Sequence, residues 1–255
     1  MRGTSQNRRV FDIVLFVVAA IAGAVAAVAG FGIGSLLTPL LAMSVGTKIA
    51  VAAISIPHLI GTAIRFWRMR ADTDRRVLWS FGITSAAGGL LGALLQSRMQ
   101  SRPLTIVFGL LLIFVGISGL SGLAERMRFH GAVAWTAGAI SGLFGGLVGN
   151  QGGIRSAALL GFALSRDAFV ATATAIGLFV DAARMPVYLA TQHAELRGLL
   201  LQIVIATAGV ILGTLTGTRL LKRIPEKAFR MIVSLLILAL GFYMLLRGVQ
   251  SASWI

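Results

Sequence analysis

The chain has 255 residues, of which 57% are apolar and only 12% are charged, and its mean hydropathy is +0.89. One soluble core of this size could not bury so much apolar surface, which excludes a water-soluble globular domain and makes lipid the expected solvent. The sequence contains no cysteine, which excludes disulfides, cysteine-ligated metals and thiol catalysis.

About eight apolar runs are long enough to cross a bilayer as helices, because some 20 apolar residues span the hydrocarbon layer. They lie at residues 11–31, 47–67, 76–96, 103–123, 131–149, 168–190, 196–217 and 227–247. The first run could be mistaken for a signal peptide, but its length and the runs after it favour a membrane span. The predicted fold class is an all-α polytopic membrane protein.

Two Gly-rich breaks, GFGIG at 30–34 and GNQGG at 149–153, lie 119 residues apart. The short segments that follow them, 35–43 and 154–164, are predicted half-helices or re-entrant helices. Shifting the second half by 119 residues aligns Gly149 with Gly30, Gly153 with Gly34, and Arg184 with Arg65. The chain is therefore predicted to contain two transmembrane repeats, residues 1–125 and 126–255, each with a Gly-broken half-helix.

The net charge of +15 would suggest nucleic acid in a soluble protein, but these basic residues lie mostly at the ends of apolar runs. They favour membrane anchoring and no nucleic-acid partner. Two dense clusters, within 65–76 and 219–230, would both prefer the cytoplasm, yet eight full crossings would place them on opposite sides. If one Gly-broken pair of half-segments together makes a single crossing, the number of crossings between the two clusters changes. Both clusters can then be cytoplasmic, and the two halves become inverted repeats.

Four segments resemble the sulfite exporter TauE/SafE family, also called the toluenesulfonate uptake permease family. They are GFGIGSLLTPLL at 30–41, AVAAISIPHLIGTAIR at 50–65, GLFGGLVGNQGGIRSAALLGF at 142–162 and VATATAIGLFVDAARMPVY at 170–188. The resemblance implies an integral protein of the bacterial inner membrane that carries sulfite, sulfonates or related organosulfur anions. One departure, Ala158 where the first half has Pro39, leaves the particular substrate open.

Export is the preferred direction, because an inside-negative potential drives an anion out of the cell. An anion channel and a proton-coupled uptake carrier for small carboxylates are the alternatives. An enzyme is not expected, because the three histidines are far apart and neither HExxH nor GxSxG occurs. The sequence predicts no cofactor and no metal site.

The residues themselves also point to a small anionic substrate. A helix that begins inside a membrane presents free N–H groups and the positive end of its dipole, and glycine allows a ligand to approach the backbone. The predicted substrate-binding residues are Gly30, Gly32, Gly34, Ser35, Ser55, Asn150, Gln151, Gly152, Gly153, Arg155 and Thr174.

Arg155 is the strongest of these candidates, because a guanidinium can form a bidentate pair with sulfonate, sulfite or carboxylate oxygens. The alternative is an interfacial arginine that extends to the membrane surface. Asn150 could equally cap the half-helix, and Ser55 and Thr174 could bond back to their own helices.

Three residues are predicted to gate the pathway or couple it to protons. Asp181 and Arg184 share a helix face, so they form either a structural ion pair or a proton carrier with a switching partner. His58 follows Pro57 and could relay protons, or could simply bond to a neighbouring carbonyl. Arg65, which lacks an acidic neighbour, is expected to end its helix at the cytoplasmic surface.

Glycines at four-residue spacing predict faces where helices pack closely. Gly209, Gly213 and Gly217 form one face, and Gly88 and Gly92 form a shorter one. Packing within the chain is the first interpretation, and a homodimer interface is the second.

Overall fold

The structure, a computed structural model, describes residues 2–123, 131–150, 152–162, 164–221 and 224–250. Within these ranges the chain is helical and contains no strand. The helices are α1 (Arg2–Ala29), α2 (Ile33–Met69), α3 (Arg75–Arg98), α4 (Ser101–Ser121), α5 (Gly131–Val148), α6 (Gly152–Leu159), α7 (Arg166–Thr191), α8 (His193–Gly198), α9 (Leu200–Leu221) and α10 (Glu226–Gln250). A 3-10 turn (Arg70–Asp72) follows α2.

Eight of the described helices are long and apolar enough to cross a membrane, which confirms the predicted class. They are α1, α2, α3, α4, α5, α7, α9 and α10. Large apolar side chains such as Ile13, Val17, Leu201 and Val204 are exposed on their outer faces, where lipid would cover them.

Helix α2 is two helices joined at Gly46, whose backbone angles of φ 78° and ψ 160° interrupt it. We call the parts α2a (33–45) and α2b (47–69). The positive φ favours glycine, and a side chain at Gly46 would also meet the hydroxyl of Ser101 at 2.8 Å. In the second half α6 ends at Leu159, five residues earlier than predicted, and Ser165 begins α7 by accepting a hydrogen bond from the Ala168 N–H.

The glycine faces pack within the chain, as predicted. A Cβ atom at Gly213 would overlap the Ala20 carbonyl of α1, and one at Gly92 would overlap the Leu143 carbonyl of α5. The backbones of α1 and α9, and of α3 and α5, therefore approach as closely as the small-residue spacing allows.

Two of the helix pairs run parallel. Along α1 and α9, Gly209 lies against Ala19 and Gly217 against Ala24, so the residue numbers rise together. Along α3 and α5, Gly88 lies against Ala139 and Gly92 against Leu143 in the same sense.

Two other pairs run antiparallel. Along α4 and α10, Gly109 lies against Leu245 and Gly119 against Ser234. Between α2b and α7, His58 bonds to Asp181, while Thr62, one turn later, lies beside Gly177, one turn earlier.

Helices α1, α2b and α9 run in the same direction, toward one face of the protein. Gly217 near the end of α9 contacts Ala24, and the Ala26 carbonyl near the end of α1 accepts a hydrogen bond from Arg65 near the end of α2b. Because α1 and α2b run in the same direction, α2a, which connects them, must run back toward the opposite face. The basic residues after α2b and after α9 therefore lie on one side, which removes the parity conflict.

The arrangement predicts the sidedness of four loop positions. Because the chain has no native cysteine, single cysteines can be introduced directly. Ala71→Cys and Ile224→Cys, beside the basic clusters, should react with an impermeant thiol reagent only from the cytoplasmic side. Gln100→Cys and Gly198→Cys should react only from the other side.

Labelling of intact cells and of inverted vesicles measures this directly. Reaction of Ala71→Cys and Gln100→Cys from the same side would contradict the arrangement.

Candidate functional site

The two Gly-rich breaks meet inside the helical body. Gly30 and Gly149 follow the last turns of α1 and α5 with φ angles of 78° and 74°, a left-handed conformation that glycine adopts without strain. A Cβ atom at Gly34 would overlap the Gly149 carbonyl, and one at Gly152 would overlap Phe31. The first turns of α2a and α6 thus each contact the opposite break.

Helix α2a begins at this junction without a side-chain cap. Its N-cap residue is Gly32, with φ 131°, which has no side chain that could accept from the first N–H groups. Ser35 lies in the first turn and is 2% exposed. Free N–H groups and the positive end of the helix dipole are therefore present at the break, as an anion site requires.

Arg155 is buried at the same junction, with 4% of its surface exposed. Its Nη2 group donates a long hydrogen bond of 3.5 Å to the Gly30 carbonyl, and its Nη1 lies 3.0 Å from where a Cβ of Gly177 would be. Within the described part of the chain, Nε and Nη1 have no hydrogen-bond partner. The interpretation of Arg155 as an interfacial, snorkelling arginine is therefore wrong.

Two neighbouring features add to this junction. Asn150, 4% exposed, has an amide Nδ2 with no hydrogen-bond partner among the described residues. Around Gly30 there is open space, because an added Cβ would have no atom of the described residues within 4 Å. Unpaired buried donors beside open space are the arrangement that binds an acceptor ligand.

Asp181 lies at the centre of an ion-pair network. Its carboxylate accepts from His58 Nδ1 at 2.7 Å and from Arg184 Nη2 at 2.8 Å. Arg184 also donates to the Gly145 carbonyl at 2.6 Å, and the Tyr188 hydroxyl donates to the Gly146 carbonyl. The predicted Asp181–Arg184 pair is confirmed, and His58 bonds to a carboxylate on another helix rather than to a nearby carbonyl.

Arg65 does not end its helix at the surface as predicted. It is 6% exposed, donates to the Ala26 carbonyl at 2.5 Å and donates to the Thr62 hydroxyl at 3.1 Å. The physical reason is that α1 ends inside the protein, where the negative end of its dipole attracts a cation. The Ala26 carbonyl accepts from Arg65 in addition to the Gly30 N–H.

The two halves use matching hydrogen bonds. Arg65 reaches Ala26 and Arg184 reaches Gly145, each across 39 residues, and both partners shift by the same 119 residues. Thr62 in the first half corresponds to Asp181 in the second. Each arginine therefore donates to a carbonyl in the last turn of the helix that precedes a break, and in each case that carbonyl also accepts from the glycine N–H that begins the break.

The remaining predicted residues are placed as follows. Ser55 and Thr174 donate to the carbonyls of Val51 and Val170 in their own helices, so their hydroxyl protons are not free for a substrate. Gly153 packs on Val115 of α4 rather than on the opposite break. Gln151 lies outside the described residues.

A family model described as sulfite exporter TauE/SafE matches residues 15–244. The chain belongs to this family. The matched range includes both breaks and the His58–Asp181 pair. No curated protein and no solved structure matches the chain.

TauE/SafE is a transporter family, which agrees with the prediction that the chain is not an enzyme. In this TauE/SafE member the structure brings together Gly30, Gly34, Gly149, Gly152 and Arg155, and, across α2b and α7, His58, Thr62, Asp181 and Arg184. The sequence did not indicate that Thr62 and Arg65 belong to this buried network. The 119-residue correspondence of Arg65 with Arg184 was the signal that could have indicated them.

The contact between the breaks predicts a large difference between two glycine substitutions. Gly34→Ala should destabilise the protein by about 1–3 kcal/mol, because the added methyl overlaps the Gly149 backbone, which cannot rotate away. Gly198→Ala is the control, since nothing described lies within 4 Å of its added methyl.

Thermal unfolding of both variants in the same detergent provides the comparison. A Gly34→Ala protein that is as stable as Gly198→Ala would show that the breaks do not touch.

Proposed function

We propose that this TauE/SafE member is a secondary transporter of the bacterial inner membrane that exports small sulfur oxyanions, with sulfite and sulfonates as the first candidates. The family match supports the transporter class. The substrate would bind where the two breaks meet, between Arg155 and the first turns of α2a and α6.

Arg155 is the observation that carries the proposal. A buried guanidinium normally has its hydrogen bonds satisfied, because an unpaired buried donor costs about 1–3 kcal/mol and a charged one costs more. Arg155 keeps two nitrogen atoms unpaired within the described residues. An oxyanion beside Gly30 would supply acceptors to these nitrogens and to the amide of Asn150.

The pairing of the helices supports alternating access through inverted repeats. The second and last helices of the two halves, α2b with α7 and α4 with α10, run antiparallel, whereas a two-fold axis along the membrane normal would make equivalent helices parallel. A two-fold axis in the membrane plane accounts for these directions. Rocking of one repeat against the other would then expose the same central site to either side.

Export follows from the charge of the substrate. Moving one negative charge out of an inside-negative cell releases about 2.3 kcal/mol per 100 mV, so a carrier without a coupling ion could expel it.

Proton-coupled uptake is the second candidate, and the His58–Asp181 bond is the observation that favours it. A titratable pair on two facing helices could take up a proton and loosen the contact between α2b and α7. Flux that follows an imposed pH gradient at zero membrane potential would favour this candidate over the exporter.

Substitution of Arg155 tests the site. In proteoliposomes that carry labelled sulfite, Arg155→Ala should raise KM about 10–100-fold, because one or two charge-assisted hydrogen bonds are lost. Arg155→Lys should raise it less, because it keeps the charge but loses the planar donor geometry.

Arg219→Ala is the matched control, since it removes an exposed arginine and should leave KM unchanged. Unchanged KM in both Arg155 variants, with the proteins monodisperse, would remove Arg155 from the site.

A further inference from the structure

The charged residues in the centre of the protein carry an inference about the charge of the ligand. Within the described ranges, the buried ionised side chains are those of Arg65, Arg155, Asp181 and Arg184, at 6%, 4%, 0% and 1% exposure. All four lie on α2b, α6 or α7, around the breaks. We propose that this cluster is matched to a doubly charged oxyanion and selects it over a singly charged one. The inference rests on the proposed function.

The four residues act on one another electrostatically. Arg184 and Asp181 form a direct ion pair with an N–O distance of 2.8 Å. Arg65 donates to Thr62, whose methyl group lies beside Gly177, and the Arg155 guanidinium lies beside the same glycine. The two guanidinium groups are therefore close enough to repel each other, and Asp181, which bonds to His58 one turn from Thr62, attracts both. A ligand at Arg155 therefore experiences the sum of these charges.

The sum is positive. One carboxylate offsets one of three guanidinium groups, so two positive charges are left in the buried cluster. Arginine does not release its proton in proteins, so the cluster cannot become neutral by deprotonation. With the His58 ring neutral the excess is two, and protonation of the ring would raise it and strengthen the attraction for negative charge.

The dipoles at the helix ends do not change this net positive charge. Arg65 and Arg184 bond to carbonyls at the negative ends of α1 and α5. The positive ends of α2a and α6 lie at the same junction, and each helix end counts for about half an elementary charge. The two contributions have opposite sign and similar size, so about two positive charges remain.

A buried excess of this size is costly unless it is paired. A ligand with two negative charges leaves the occupied site neutral, whereas a ligand with one negative charge leaves a buried cation. Sulfite in its fully ionised form, sulfate and thiosulfate carry two charges, and sulfonates carry one.

One residue, Thr62, determines the size of this excess of positive charge. Thr62 occupies in α2b the position that Asp181 occupies in α7, and each accepts a hydrogen bond from the arginine three residues later. An aspartate at position 62 would pair with Arg65 as Asp181 pairs with Arg184. The cluster would then keep only one positive charge and should favour a ligand with one negative charge.

Two ligands of similar size and different charge test the inference. Sulfate and methanesulfonate both present oxygens around a tetrahedral sulfur, and at neutral pH they carry two charges and one. Binding to the purified, detergent-solubilised chain is measured by calorimetry, and inhibition of sulfite flux provides a second readout. Sulfate should bind at least about tenfold more tightly than methanesulfonate.

Thr62→Asp should reverse or abolish the preference for sulfate. Thr62→Asn, whose side chain has the shape of aspartate without its charge, should retain the preference. Arg65→Gln lowers the net charge of the cluster by one, as Thr62→Asp does, and should likewise weaken the preference for sulfate over methanesulfonate. Equal or tighter binding of methanesulfonate by the unmodified chain would overturn the inference and leave the anion site intact. If neither anion binds the folded protein or inhibits sulfite flux, the proposed function itself fails.

Discussion

A helix that ends inside a membrane leaves backbone groups that lipid cannot satisfy, and this constraint organises the centre of the protein. The last carbonyls of α1 and α5 need donors, and the first N–H groups of α2a and α6 need acceptors. The Tyr188 hydroxyl supplies one such donor, to the Gly146 carbonyl. Arg65 and Arg184 place a positive charge at these helix ends and add a second hydrogen bond to the Ala26 and Gly145 carbonyls, which also accept from a backbone N–H. The N-cap residue of α2a is Gly32, which has no side chain to supply the acceptor, so that helix end is available to a ligand.

These internal helix ends also explain why so many charged side chains are buried. Two arginines bond to carbonyls at helix ends and a third, Arg155, donates to the Gly30 carbonyl, while among the described side chains Asp181 is the one buried carboxylate that opposes them. Structural arginines therefore raise the positive potential of the junction, and the function we propose uses that potential to hold an anion. Close glycine packing of α1 on α9 and of α3 on α5 keeps the helix ends in position.

The sequence predicted seven of the eight spans within about four residues at each end, because apolar run length and terminal charges are local signals. The exception is α1, which begins nine residues before the predicted start. It also predicted that Arg155 and the breaks belong together. It did not predict the His58–Asp181 bond, because helical periodicity identifies a face but not its partner 123 residues away. Arg65 was predicted at the surface because it lacks an acidic neighbour, but its partners are a carbonyl of α1 and the Thr62 hydroxyl, and the carbonyl lies 39 residues away in the sequence.

The central claim is that an oxyanion binds at the junction of the breaks. Selenate, a heavier analogue of sulfate, gives an anomalous X-ray signal that locates the selenium atom directly in crystals of the protein. The account predicts a peak within hydrogen-bonding reach of the Arg155 guanidinium and beside Gly30. A peak in the cavity of about 490 Å³ that is lined by Arg68, Arg70 and Arg75, with none at Arg155, would contradict it.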